Sequence, residues 1–389
     1  MSERRKALAL LIAAEVLTMS LWFVSAAVLP QMRAEADIAP AWQAALSAAV
    51  QAGFVLGALG SAALGLADRF DPRRVLAAGA LAGAAANAGL IWAPPGGALA
   101  VGLRLATGAA LAAVYPVGMK IAVGWGERDR GLLVGLLVGG LTLGSAAPHL
   151  LAGAGAWRET VALASALAAA GAALGLATRL GPHHAQAARF DPHALRLAWS
   201  DRRIRAAFLG YLGHMWELYA MWAWIGAALA ASFAARMAPE AAGEAAHLAA
   251  FCAIAAGALG CAPAGWLADR IGKARLAAGA MVMSGACALA AAGAFGGPAW
   301  LLGAIATLWG VAVIADSAQF SALIADFAPP AAAGSLMTLQ TALGFALTVP
   351  TVQLTPLAAA ALGWPATLAL MAAGPALGVA ALTPLLRRR

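Results

Sequence analysis

Gly210-Tyr-Leu-Gly-His-Met-Trp-Glu-Leu-Tyr-Ala-Met-Trp-Ala-Trp224 lies inside an apolar run from about Ile204 to Ala231. A helix needs about 20 such residues to cross a bilayer, and this run has them. At 3.6 residues per turn, His214, Glu217, Met221 and Trp224 fall on one helical face. A carboxyl and an imidazole are costly in hydrocarbon, so this face is expected to look into a helix bundle or a wet cavity. The early stretch Glu15-Val-Leu-Thr-Met-Ser-Leu-Trp22 repeats the seven-residue step from Glu217 to Trp224. The echo predicts an internal duplication that sets Glu15 and Glu217 on opposite walls of one chamber.

The rest of the chain agrees with a membrane setting. It is 63% hydrophobic and 11% charged, against about 25% charged in soluble domains. The net charge of +8 raises nucleic acid as a partner, but the cations form short clusters between apolar runs, and no such partner is expected. The 44 glycines suit helices that pack closely in lipid. Cys252, Cys261 and Cys287 lack metal spacing and are expected to be free buried thiols. The first apolar run, Ala7 to Leu29, is too long for a cleaved signal sequence.

Apolar runs set against turn signals give twelve spans, at about 7–29, 42–66, 75–93, 97–122, 131–152, 159–178, 204–231, 245–267, 276–296, 299–325, 335–359 and 364–386. With the N-terminus inside, the loops on that side hold 20 of the 25 lysines and arginines, while Arg33, Arg158 and Arg236 lie on the other side. The positive-inside rule then puts both termini in the cytoplasm. One long polar stretch divides the chain into bundles at 1–178 and 204–389, joined by a cytoplasmic linker at 179–203. The halves read as copies. Asp68-Arg69 matches Asp269-Arg270 at an offset of 201, Glu15 and Trp22 match Glu217 and Trp224 at 202, and Gly131 matches Gly334 at 203. The fold expected is an all-α membrane protein, twelve transmembrane helices in two pseudo-symmetric six-helix bundles around a central cavity.

The loop Gly265-Trp-Leu-Ala-Asp-Arg-Ile-Gly-Lys-Ala-Arg275 resembles the G-x-L-A-D-R-x-G-(R/K) signature of the major facilitator superfamily of secondary transporters, and the resemblance extends over essentially the whole chain. The first-half copy keeps Asp68 and Arg69 but has Leu64 and Asp71 where the two glycines belong. Span four is similar to a second signature of the family, R-x-x-x-G, through Arg104 and Gly108. The span-five export signature is incomplete, with Ser145 in place of its proline. The resemblance implies alternating access by rocking of the halves, a gating role for Asp68, Arg69, Asp269 and Arg270, and, as in proton-coupled members, a part in proton transfer for Arg104.

The residues expected to bind substrate or protons are Glu15, Trp22, Arg104, Tyr115, His149, His214, Glu217, Met221, Trp224, Asp316 and Gln319. Glu217 lies roughly 20 Å into its helix, where an ionised carboxyl is hard to keep and a protonated one is not. His214 is its nearest candidate partner, while Asp316 is a candidate partner for Arg104 or His214. Trp22 and Trp224 are expected to wall the cavity, and Trp216 and Trp222 to face lipid or neighbouring helices. Lys120 reads as a cation snorkelling to the cytoplasmic surface. No nucleotide- or metal-binding pattern is evident, so no cofactor is expected. The reading is a monomeric, proton-coupled carrier of a small organic molecule in a bacterial inner membrane. An uncoupled facilitator, an exporter of amphipathic compounds and a non-transporting receptor remain open. The counts of buried acids and bases leave the sign of the substrate's charge undecided.

Overall fold

In hydrocarbon a backbone must satisfy its own polar groups, and a helix does so within one segment. Every secondary-structure element among the described residues of the computed structural model is helical. The structure describes residues 2–126, 129–183 and 195–386. Arg128, His184, Asp191, Pro192, His193, Arg387 to Arg389 and the middle of the expected linker lie outside them.

Span one consists of α1 (Glu3–Met19) and α2 (Val24–Glu35), and span two is α3 (Pro40–Leu64), followed by the short α4 (Leu66–Arg69). Then come α5 (Pro72–Gly89), α6 (Ala98–Leu111) with α7 (Tyr115–Val123), α8 (Arg130–Ala152) and α9 (Trp157–Ala177). After α10 (Leu197–Ser200), the second half runs through α11 (Arg202–Phe233), α12 (Pro239–Ile271), α13 (Lys273–Ala294), α14 (Ala299–Ala315) and α15 (Ser317–Phe327). It ends with α16 (Pro330–Met371) and α17 (Ala373–Leu386). Nine segments of the described residues are long and apolar enough to cross a membrane, and one of them, Ala332–Leu386, holds two spans. The chain turns there at Gly363, whose φ of +80° belongs to glycine. With that segment divided, Pro72–Gly89 and Arg202–Phe233 bring the order into agreement with twelve.

Three spans are broken where continuous helices were expected. Span four stops at Leu111 and restarts at Tyr115, because Pro116 has no N–H to bond one turn back. Span ten breaks at Asp316, 202 residues beyond Val114. Span one unwinds between Met19 and Val24. The freed carbonyls of Leu21 and Trp22 accept from the guanidinium of Arg104, which also donates to Asn87 Oδ1 at 2.9 Å. Asn87 in turn donates to Ser165 Oγ at 2.9 Å, so one buried network joins spans one, three, four and six.

Close approaches between backbones reveal the duplication in three dimensions. A Cβ on Gly108 would lie 2.0 Å from the carbonyl oxygen of Val50, and one on Gly310 only 1.6 Å from that of Ala253. Gly171 meets Ala14 and Thr18 as Gly374 meets Gly213, and Gly144 meets Val16 as Gly344 meets Met215. These pairs align spans one and seven at an offset of 199. The structural counterpart of Glu15 is therefore His214, and the expected equivalence of Glu15 with Glu217 is corrected. Three residues of drift turn a helical position by about 60° and shift it by about 4.5 Å, so the Glu-to-Trp echo is a coincidence of spacing.

The two signature loops fold differently. In the first, Gly65 takes the left-handed conformation (φ +60°) and ends α3, while Asp71 caps α5 by accepting from the backbone N–H of Arg73 at 2.9 Å. The Arg73 side chain beside it holds the Asp71 carboxyl below its ordinary range. In the second, α12 runs on to Ile271 and the turn falls at Gly272 (φ +95°). Asp71 thus trades a left-handed turn for a helix cap. The expectation of three buried thiols is also corrected, since only Cys287 is buried and Cys252 is exposed.

The halves meet along α8 with α12, α3 with α16, and α2 with α11. Contacts between them run along α8 from Gly135 with Cys261, through Gly139 with Ala258 at mid-span, to Gly153 with His247. The last of these pairs lies at the end of α8 opposite the basic loops. On α3, residues 44–54 are mostly buried, whereas none of residues 55–64 is. Arg4 pairs with Asp129, and Arg179 with Glu3, which sets the N-terminal end of α1 beside the basic loops.

Candidate substrate site

The unwound segment of span one delivers Trp22 and Phe23 to the middle of the molecule. Trp22 packs on Phe54 at 5.0 Å between ring centroids and on Tyr219 and Phe345 at 5.7 Å. Phe54 and Phe345 lie 4.4 Å apart, and Phe23 lies 5.9 Å from Trp222. Six rings from spans one, two, seven and eleven thus form a cage to which both halves contribute. Trp222 is fully buried in it against a neighbouring helix, one of the two places expected for it, whereas Trp216 is partly exposed.

Glu15 lies on α1 about one turn before the unwound residues that carry Trp22, toward the basic end. It is fully buried, and neither carboxyl oxygen has a hydrogen-bond partner. Glycines make its slot: a Cβ on Gly118 would come within 3.0 Å of Oε2, and Gly140 lies against its Cβ and Cγ. Tyr115, at the restart of span four, is within electrostatic reach of Glu15 and of Tyr211 across the chamber. Gln51 shares a face of α3 with Phe54, and both ends of its buried amide are unpartnered.

In the second half His214 Nδ1 sits 2.8 Å from Asp316 Oδ1, an ion pair by distance without an aligned hydrogen bond, and both side chains are almost fully buried. The rings of Tyr211 and Phe320 flank His214 at 5.9 and 5.7 Å. His214 therefore partners Asp316 at the break in span ten, and its expected pairing with Glu217 is corrected. Gln319 is buried one turn beyond, its backbone N–H donating to the Asp316 carbonyl at 2.9 Å.

Glu217 looks into its own half. Oε2 accepts from Ser284 Oγ at 2.7 Å and Oε1 from Trp309 Nε1 at 2.8 Å, so spans seven, nine and ten meet on one carboxyl. Trp224 donates to the Val352 carbonyl at 2.9 Å and ties span seven to span eleven, while Met221, between Glu217 and Trp224 in sequence, is fully buried. His149 lies against span seven beside Gly226 and the Trp222 backbone, its ring 6.4 Å from His247 of the other half. The structure thus sets Trp22 in the ring cluster with Arg104 on its carbonyl, Glu15 near Tyr115, His214 with Asp316, and Glu217 turned into its own half.

Of the four residues expected to gate, Asp68 pairs with Lys120, whose ammonium also donates to the Ala67 carbonyl at 2.8 Å. Lys120 thus carries its charge to the loop on the basic side and clamps span four to it. In the second half the polarity is reversed, with loop cation Lys273 bound to Asp326 of span ten at 2.6 Å. Arg270 lies 3.3 Å over the ring of Trp266, and Arg69 and Asp269 are exposed. Sequence reading missed Phe54, Phe345, Gln51, Ser284 and Trp309. Gln51 and Phe54 carried a signal, a polar residue on an apolar span sharing a face with an aromatic one. No group of three or more His, Cys, Asp or Glu placed to hold a metal ion occurs among the described residues.

Two six-helix bundles that meet at a shared cluster of buried rings have the architecture of a membrane carrier. The chain belongs to the Major Facilitator Superfamily, whose family model matches residues 10–347. As a member it is a multi-pass membrane transporter, not an enzyme. Its fold is similar to the partially occluded inward open conformation of the xylose transporter XylE from E. coli, with a TM-score of 0.76, 13% identity and all of both chains covered. It is also similar to a mutant of the nucleoside transporter NupG, with a TM-score of 0.72 and 15% identity over 98% of this chain and 100% of that one. No curated protein sequence matches the chain significantly.

Proposed function

We propose that the chain moves a small organic solute by alternating access, driven by a proton gradient, as a monomer in a bacterial inner membrane with both termini in the cytoplasm. The observation that carries this reading is the set of buried polar groups without partners beside the ring cage: both oxygens of Glu15, both ends of the Gln51 amide and Trp22 Nε1. Buried polar groups are nearly always bonded, and a guest that arrives from water supplies what these lack. Residues 1–178 and 204–389 act as the rocking bodies, with 179–203 as the joint between them. The lack of burial on α3 beyond residue 54 supports a chamber that faces the cytoplasm.

For the proton step the His214–Asp316 pair is the better seat, with Glu217, within electrostatic reach of Asp316, beside it. The pair lies at a helix break that both states of a rocking bundle can reshape, whereas Glu217 is already bonded at both oxygens. Asp68, Arg69, Asp269 and Arg270 act on the cytoplasmic rim, through Lys120 in the first half. Solute flux in proteoliposomes under an imposed pH gradient tests the reading. Asp316→Asn is expected to keep solute exchange and lose gradient-driven accumulation. Accumulation that follows the gradient unchanged in this variant would remove the pair from coupling, and wild-type flux indifferent to the gradient would make the carrier a facilitator.

A further inference from the structure

The chain has three tyrosines, and all three gather at the chamber. Tyr219 belongs to the ring cage, Tyr211 stacks on His214, and Tyr115 lies within electrostatic reach of both Tyr211 and Glu15. None of the three phenol groups is in a hydrogen bond with a described residue. The sign of charge that the chamber leaves uncompensated can now be read group by group. The Arg104 guanidinium is taken up by Asn87 and the carbonyls of Leu21 and Trp22. The Lys120 ammonium is held by Asp68, and His214 by Asp316. Glu217 is bonded by Ser284 and Trp309. Glu15 remains: fully buried, aimed into a glycine slot beside Tyr115, and without any partner.

Resting on the carrier reading above, we infer that the solute is a monovalent organic cation with a ring-sized apolar body, its ammonium bound at Glu15 and its body against Trp22, Phe54, Tyr219 and Phe345. The aromatic faces offer the body flat apolar area. Glu15 stands about one turn before the unwound residues that carry Trp22, a separation that a ring bearing an amine on a short alkyl arm can bridge. The Gln51 amide, free at both ends, is placed to bond a polar substituent on that body. An organic anion would meet no unpaired cation in the chamber, and it would bring a second negative charge to Glu15.

Radiolabelled tryptamine and indole-3-acetate share a ring and differ in charge, which makes them a matched pair for binding to the purified full chain. Tryptamine is expected to bind saturably and indole-3-acetate not to bind. Glu15→Gln should weaken tryptamine by about tenfold or more, as loss of a charge-assisted bond does. Glu15→Asp should recover part of the loss, and Trp22→Leu should weaken binding with the carboxyl intact. Thermal unfolding of each variant shows that it remains folded. Binding of indole-3-acetate as tight as that of tryptamine, no binding of either, or a folded Glu15→Gln variant with full tryptamine affinity overturns the inference. Counterflow in proteoliposomes separates the two readings. Tryptamine binding without counterflow keeps the ligand class and removes transport, whereas counterflow of indole-3-acetate keeps the carrier and removes the cation.

Discussion

Arg104 shows how one side chain can make an irregular backbone tolerable in a membrane. Unwinding residues 20–23 frees carbonyls that water cannot reach, and each unsatisfied group costs several kcal/mol there. The guanidinium covers two of them and fastens itself to Asn87. Arg104→Met removes all three bonds with little change in length and is expected to lower the unfolding temperature sharply, or to prevent folding. Arg104→Lys, with a point charge in place of a planar fork, should fall in between; a folded Arg104→Met protein of wild-type stability would show that the peg is dispensable. Glu217 offers a contrasting test. In Glu217→Gln the amide can turn its oxygen to Trp309 and its NH2 to the Ser284 hydroxyl, so stability should change little. Glu217→Leu strands the indole N–H and should cost about 1–3 kcal/mol, measurable by thermal unfolding in detergent. That Glu15, Glu217 and Asp316 would be buried was legible from their places in apolar runs. Their partners were not, because a sequence gives the face of a helix but not what the neighbouring helix sets against it.

Between helices, two glycines with matching roles set the spacing inside each bundle. Gly108 and Gly310 admit backbone carbonyls to distances that no side chain tolerates, so Gly108→Ala and Gly310→Ala should each push two spans apart and destabilise the protein severely. Gly60, with nothing near its missing Cβ, is the control. Gly60→Ala should be neutral or stabilising, by up to about 1 kcal/mol, and equal losses in all three variants would refute the close-approach argument. The start of α11 illustrates an element's end outside the membrane. Asp201 accepts from the backbone N–H groups of Ile204 and Arg203, and these bonds hold its carboxyl below the ordinary range. A group with a depressed folded value stabilises above its unfolded value, and the benefit fades as pH falls through the folded one. Asp201→Ala should therefore cost about 1 kcal/mol near neutrality and progressively less in acid; a pH-independent difference in unfolding temperature would contradict the cap. The caps and turns at Asp71, Asp201 and Gly272 were readable from residue type. The breaks at 20–23 and at Asp316 were not, since nothing in a smooth apolar run announces a carbonyl held by a distant arginine or a carboxylate held by a distant histidine.

Over the whole molecule, the twelve spans and the doubling were legible because lipid imposes length and loops impose charge, and both survive sequence drift. The exact register between halves was not, because it rests on glycine contacts between spans one and six and spans seven and twelve, not on the recurrence of a Glu-to-Trp step. Register decides what faces the chamber, so the error moved the second half's polar centre from His214 to Glu217. The interface between halves carries the last expectation. If transport requires the bundles to rock, the contact of Gly139 with Ala258 has to open in part of every cycle. A Cβ built on Gly139 lies 3.9 Å from that of Ala258, inside the range of about 3.5–4.5 Å that a disulfide spans. In a background with Cys252, Cys261 and Cys287 replaced by alanine, Gly139→Cys with Ala258→Cys should cross-link on mild oxidation. Flux in proteoliposomes should then stop and return when the bond is reduced, while binding from the cytoplasmic side persists. Each single cysteine variant should transport under both conditions. A fully cross-linked protein that still transports would mean that spans five and eight do not separate, and that the solute passes by local gating within fixed bundles.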